Sequence, residues 1–243
     1  MANGESFSAF IPWCRMVRVY LRAHSGFPRA SVSPRSICLQ FFSAALAALA
    51  VQFSAFLTPA GAADLKIGLS ADVTTLDPHY LAAQPNLTVS RHVFESLTEV
   101  DEKTRIIPGL AESWRALDAT TWEFKLRRGV KFHDGSELTA EDVVFSLDRP
   151  HTIKGSPGGF SSFVRAITAK KIVDRHTVVI TTAAPYGALP QDVNSILIVS
   201  KKAAANAAGA DFDNGRAMVG TGPYRFVRFA RGESVELARN EGY

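Results

Sequence analysis

The chain has 243 residues and a formal net charge of +4, with 47% hydrophobic and 21% charged residues. That balance excludes extended disorder and a multi-span membrane protein. Residues 1–63 hold five arginines, no lysine and one acid, a net of 5 − 1 = +4, so residues 64–243 carry 22 basic and 22 acidic side chains.

The basic excess therefore belongs to the leader, which argues against nucleic acid as a partner of the folded part. The two cysteines, Cys14 and Cys38, also lie in the leader. Residues 64–243 thus have no thiolate for a zinc site, a disulfide or a nucleophile.

The leader reads as an export signal. Arginines precede an apolar run from Ile37 to Leu57, and small residues follow in Ala60-Gly61-Ala62-Ala63. Ala60 and Ala62 fit cleavage before Ala63, and Gly61 and Ala63 fit cleavage before Asp64. Residues 1–62 are thus assigned to a signal peptide with a long n-region, within which Met16 is a candidate start. An uncleaved anchor is the competing reading, since the run would span roughly 31 Å as a helix. The Thr58-Pro59-Ala60-Gly61 stretch argues against it. No cysteine stands at the cleavage site and no Arg-Arg pair precedes it, so neither lipid attachment nor a twin-arginine route is supported.

Beyond the leader, Leu65 to Leu69 alternates and predicts a first strand, ended by Asp77-Pro78. Val89, Val93, Phe94 and Leu97 recur at helical spacing and predict a helix over 88–97. Trp122, Phe124 and Leu126 alternate with charged residues, the pattern of a half-buried strand, which Val130 and Phe132 would extend. His133-Asp134-Gly135 predicts a tight turn.

Thr139 followed by Glu141 and Asp142 predicts a helix start, with the hydroxyl accepting an orphan amide. Gly155 to Gly159 reads as a loop, Thr177 to Thr181 as a strand and Ile196 to Val199 as a short buried strand. A helix follows from Lys201. Arg225 to Phe229 and Ser234 to Leu237 predict a hairpin around Arg231-Gly232.

Several of these segments carry a resemblance. Leu110-Ala111-Glu112-Ser113-Trp114, the run Thr121 to Gly135, and Leu138-Thr139-Ala140-Glu141-Asp142-Val143 occur in that order. Thr75-Leu76-Asp77-Pro78-His79 precedes them, and Ile198-Val199-Ser200-Lys201 and Gly220-Thr221-Gly222-Pro223-Tyr224 follow. Together they resemble the extracellular solute-binding proteins of family 5, the peptide- and nickel-binding proteins of ABC importers.

The resemblance implies an α/β periplasmic binding protein-like fold (type II). The chain would supply the first lobe, with an inserted mostly β subdomain and the second lobe absent. Residues 64–92 and 186–243 would form the lobe core and residues 93–185 the insertion. Trp114 and Trp122 would pack a small sheet, and Glu112 would pair with Arg127 across it.

The implied function is a non-enzymatic periplasmic receptor, a monomer when complete, that passes a small peptide to an ABC permease. A nickel chelate, a sugar or an opine is the alternative solute, and a sensor or chaperone the alternative role. No cofactor or metal is implied. The five histidines of residues 64–243 are scattered, and neither Gly-x-Ser-x-Gly nor His-Glu-x-x-His occurs.

His79 and Tyr80 lie where relatives approach ligand, and the region of Phe160, Phe163 and Arg165 can border the cleft. These five are the candidate ligand residues. For His79, local turn bonding competes with ligand contact, and for the phenylalanines, packing does. His133 beside Asp134 is read as a hydrogen-bonded turn residue.

Overall fold

The computed structural model describes residues 64–157 and 159–243. The leader, with the export signal read there, lies outside the described residues. Among the described residues no helix is long and apolar enough to cross a membrane.

The chain begins with an extended segment that departs from expectation. Leu65, Ile67 and Leu69 alternate, yet they pair with no strand among the described residues and remain 78%, 58% and 39% exposed. Alternation makes a strand only where a neighbouring ladder takes its backbone groups and a core takes one face.

Helix α1 spans Gln84–Val93, earlier than the spacing predicted. Pro85 sits in its first turn, where a fixed φ is pre-organised and a missing N–H costs nothing. Phe94 is already extended, and Ser96 forms a bridge to Leu197. The apolar residues Phe94 and Leu97 thus face the core from extended chain rather than from a last helical turn.

A short hairpin, β1 (Thr98–Val100) and β2 (Ile106–Pro108), leads to a four-stranded antiparallel sheet. Its strands are β3 (Ala111–Ala116), β4 (Thr121–Leu126), β5 (Ile167–Asp174) and β6 (Thr177–Thr182), in the order β3-β4-β6-β5. Trp114 lies opposite Phe124, which lies opposite Val178. Phe124, Val178 and Ile180 are fully buried on that face.

Trp114 and Trp122 pack against the same core, partly buried, as expected of them. The cross-strand ion pair is not the expected Glu112–Arg127. Arg115 bonds Glu123 at 2.8 Å instead, because these two face each other in the β3–β4 register. The strand stops at Leu126, and beyond Gly129 only Lys131 bridges Glu137, around the turn in which Gly135 holds a φ of +82°.

Helix α2 (Ala140–Asp148) covers the sheet with Val143 and Leu147. At its start Thr139 and Asp142 form a capping box, and the Thr139 hydroxyl donates to the Asp142 carboxylate at 2.8 Å. The same carboxylate takes the Thr139 N–H at 2.9 Å and, on its other oxygen, the Lys201 N–H at 2.9 Å. Ser146 accepts the Val199 N–H at 3.0 Å. This pins the segment Ile196 to Val199, which is buried as predicted but forms a single bridge rather than a strand.

Short helices α3 (Ser161–Val164), α4 (Leu189–Asp192), α5 (Lys201–Ala204) and α6 (Gly209–Asp213) complete the lobe with the hairpin β7 (Tyr224–Ala230) and β8 (Ser234–Arg239). Buried apolar residues form two clusters. One lies under the four-stranded sheet, and the other joins α1 to α6 and the β7–β8 hairpin.

Gly220 sets how closely the turn before β7 approaches α1. A Cβ there would stand 1.9 Å from the Val93 carbonyl oxygen, an atom that also accepts the Gly222 N–H at 3.0 Å. Backbone cannot yield to such contact without shifting the helix end. Gly220→Ala should therefore lower the unfolding free energy by about 3 kcal/mol, read as a reduced urea midpoint. Gly68→Ala, with nothing within 4 Å, should leave that midpoint unchanged.

Candidate functional site

The segment Thr75–Tyr80 is held by side chains rather than by a ladder. Asp213, at the end of α6, accepts the Leu76 N–H at 2.8 Å and the Thr75 hydroxyl at 3.2 Å on one oxygen. Its other oxygen meets Arg231 of the β7–β8 turn at 2.5 Å, and Arg231 also donates to the Thr74 carbonyl. Thr75 in turn accepts the Asp77 N–H at 3.1 Å, and Asp77 accepts the His79 N–H at 3.0 Å. Thr75 thus orients Asp77, and Asp77 orients His79.

Asp77 then meets Arg149, which the end of α2 delivers in a 3₁₀ turn containing Pro150. The pair is bidentate, at 2.6 and 2.7 Å, and both side chains are nearly inaccessible, at 2% and 5% exposure. Removing two charges from water is costly, and only close geometry with further hydrogen bonds offsets it. Here the guanidinium also lies over the Phe212 ring, 4.6 Å from its centroid.

His79 lies beside this pair. Its Nε2 is 2.8 Å from the Leu197 carbonyl oxygen and its Nδ1 is 3.3 Å from Arg149 Nη1. The arginine is a donor only, so Nδ1 accepts and Nε2–H donates, which defines a neutral ring. Burial, reinforced by the Arg149 charge, pushes the His79 pKa down to about 4.

Tyr80 stands at the edge of this arrangement, half-buried. Its hydroxyl donates to the Gly155 carbonyl at 3.0 Å, and its own carbonyl accepts from the Ser156 hydroxyl at 2.5 Å. Phe160 is buried, with its ring edge-on to His79 at 5.9 Å and 6.3 Å from Phe163. The fold thus gathers His79, Tyr80, Phe160 and Phe163 into one neighbourhood. Arg165 lies beyond, exposed at the end of α3.

The ring nitrogens of His79 are spent on fixed partners, so the cluster orders a loop and offers no free base. His133 is hydrogen-bonded to the distant turn before β7 rather than within its own turn, its Nε2 3.0 Å from the Gly222 carbonyl oxygen and its backbone N–H donating to the Gly220 carbonyl at 2.8 Å. Alongside Tyr80 opens a cavity of about 310 Å³, lined among others by Phe145, Arg149, Ile153, Lys154 and Ala207.

Asp77, Arg149 and Asp213, which organise the neighbourhood, were not among the sequence candidates. The signals open to reading were an Asp-Pro step after an extended segment and an Arg-Pro step closing a helix. Nothing in their spacing joins them.

Comparison with known proteins specifies the fold. Residues 105–243 match the family described as bacterial extracellular solute-binding proteins, family 5 middle, and the chain belongs to that family. The family consists of solute-binding proteins, which are not enzymes.

The chain is 28% identical over 193 residues to the oligopeptide-binding protein AppA of Bacillus subtilis, covering 76% of this chain and 35% of that protein. It is 31% identical over 216 residues to the periplasmic oligopeptide-binding protein OppA of Escherichia coli, covering 81% and 39%. The structure of AppA in complex with a nonapeptide superimposes with a TM-score of 0.67 at 28% identity, covering 74% of this chain and 37% of that one. The binding protein MoaA from A. tumefaciens R10, in complex with mannopinic acid, gives 0.60 at 33% identity, covering 71% and 36%. The fold is therefore that of the periplasmic binding proteins, represented by part of a lobe. The chain spans between 35% and 39% of the length of these curated relatives.

Two measurements follow from the buried cluster. Asp77→Ala leaves the Arg149 charge buried without its partner and should cost about 3–5 kcal/mol. The double substitution Asp77→Leu, Arg149→Met, which removes both charges, should cost clearly less in the same urea titration.

For His79 the folded pKa lies below the ordinary value of 6.5. Below that value the unfolded chain takes up a proton that the folded one refuses. The stability held near pH 7 is thus lost progressively as the pH falls from about 6.5 towards 4, by about 3 kcal/mol at most. His79→Gln should flatten that part of the stability–pH curve.

Proposed function

We propose that this chain forms the first lobe of a periplasmic receptor that captures a short peptide and delivers it to an ABC permease. The observation that carries the reading is the ordered similarity to oligopeptide-binding proteins over 76–81% of this chain. In this reading the export signal is cleaved near Ala62 or Ala63, leaving a protein without a lipid anchor that works as a monomer.

Residues 64–92 and 186–243 form the lobe core in this proposal, and residues 93–185 the insertion carrying the whole four-stranded sheet. The apolar cluster under the sheet draws most of its residues from 93–185, with Leu189, Val193, Ile196 and Ile198 joining it from the core segments. The ligand-facing surface is the neighbourhood of His79, Tyr80, Phe160 and Phe163, with Arg165 at its margin. His79 and Phe160 act from behind, by fixing Tyr80 and its loop. Binding proceeds by hinge closure, in which the ligand favours the closed arrangement of two lobes and shifts the population towards it.

A mannopinic acid complex at 33% identity favours a second reading, in which the solute is another small zwitterion. Both readings share one consequence. A clamp buries most of a small ligand's surface between its two sides, and one side alone leaves the other face in water. Trialanine and mannopinic acid titrated calorimetrically into this chain should each bind with a Kd of about 1 mM or weaker. Micromolar affinity for either would mean that a single lobe holds the whole site, and would overturn the clamp.

A further inference from the structure

We infer that the cavity between α2 and α5–α6 is a small-carboxylate site, contained within this lobe and adjoining the proposed peptide surface at Tyr80. The argument begins with the donors of Arg149. A guanidinium has five N–H groups in a fixed planar fork. Nη1 and Nη2 each give one hydrogen to Asp77, and the second hydrogen of Nη1 faces His79 Nδ1.

The Nε–H and the outer Nη2–H remain. They point the same way and make up the second bidentate edge of the group. Among the described residues no acceptor meets either one. Arg149 is 5% exposed, yet it lines the cavity. A guanidinium edge with two parallel donors and no acceptor among the described residues matches the two oxygens of a carboxylate.

The charge and shape of the cavity agree with that occupant. Asp77 neutralises Arg149, so an anion entering needs a second cation. Lys154 supplies it at the rim, exposed and, among the described residues, in no ion pair. Phe145, Ile153 and Ala207 give apolar walls for a short hydrocarbon chain. The volume of about 310 Å³ lies at the small end of ligand pockets and suits a few carbons behind the carboxylate. A zwitterion is disfavoured, because no unpaired acid lines the cavity to receive an ammonium group.

The probe is butyrate, with butyramide as its uncharged match in shape. Both are titrated into the full chain while backbone amide NMR signals are followed. Butyrate should produce saturable shifts at Tyr80, Thr152, Lys154 and Ala205, with an affinity about tenfold higher than that of butyramide. Ala205→Phe places a ring in the cavity from an exposed wall position and should abolish the shifts. Lys154→Gln, a surface change that leaves the packing intact, should weaken butyrate roughly threefold or more and leave butyramide unaffected.

Equal titrations by the two probes, persistence of the shifts in Ala205→Phe, or no shift up to about 100 mM butyrate would each overturn the site. The signals of Thr152, Lys154 and Ala205, which lie outside the proposed peptide surface, report on the carboxylate site, whereas peptide capture is read by the trialanine titration.

Discussion

The arrangement of this lobe depends on one buried ion pair. Asp77 and Arg149 stand 72 residues apart in sequence and at 2.6 Å in space. They join the loop before α1 to the end of α2. Around them the hydrogen bonds run in series, from Arg231 through Asp213 and Thr75 to Asp77, and from Arg149 to His79 and the Leu197 carbonyl. A pair of this kind adds little net stability over a well-packed apolar pair. It contributes directionality: a bidentate fork admits one mutual orientation, so the loop that carries Tyr80 has one conformation relative to the sheet.

That constraint explains why the candidate residues divide as they do. His79 and Phe160 lie in a neighbourhood expected to meet ligand, but their own surfaces are consumed. The histidine is neutral and bonded at both nitrogens, and the phenylalanine packs edge-on against it. Tyr80 and the loop from Gly155 carry what these two hold in place. The same logic places Gly220 at the second contact of α1, where the turn before β7 must lie flat against the helix end. The two clusters of apolar residues are thus tied together through backbone-close contacts and charged forks, in addition to apolar packing.

The sequence made some of this legible and left the rest hidden, for physical reasons. Thr121–Leu126 could be read because alternation reports a sheet with one buried face, and Phe124 and Leu126 are buried as that pattern requires. The start of α2 and the β7–β8 hairpin could be read because caps and turns are local chemistry. Alternation at Leu65–Leu69 misled, since the pattern describes a face but not whether anything covers it. The helix over 88–97 misled by register, because Phe94 and Leu97 are apolar for the core and not for the helix. The Asp77–Arg149 pair left no periodic trace at all. The neighbourhood of Tyr80 and Phe160 was found through family resemblance, and no composition or spacing argument would have singled it out.

Charge adds a last step. Residues 64–243 carry equal numbers of acids and bases, and many of them are paired locally, as in Arg115–Glu123, Lys201–Glu141 and Arg228–Glu236. With no net charge, residues 64–243 exert no net long-range pull on a charged solute. Exposed pairs are also screened beyond roughly a Debye length, about 8 Å at physiological ionic strength. In the proposed reading, recognition on this lobe comes from contact, through the rings and backbone of the hydrogen-bonded loop around Tyr80.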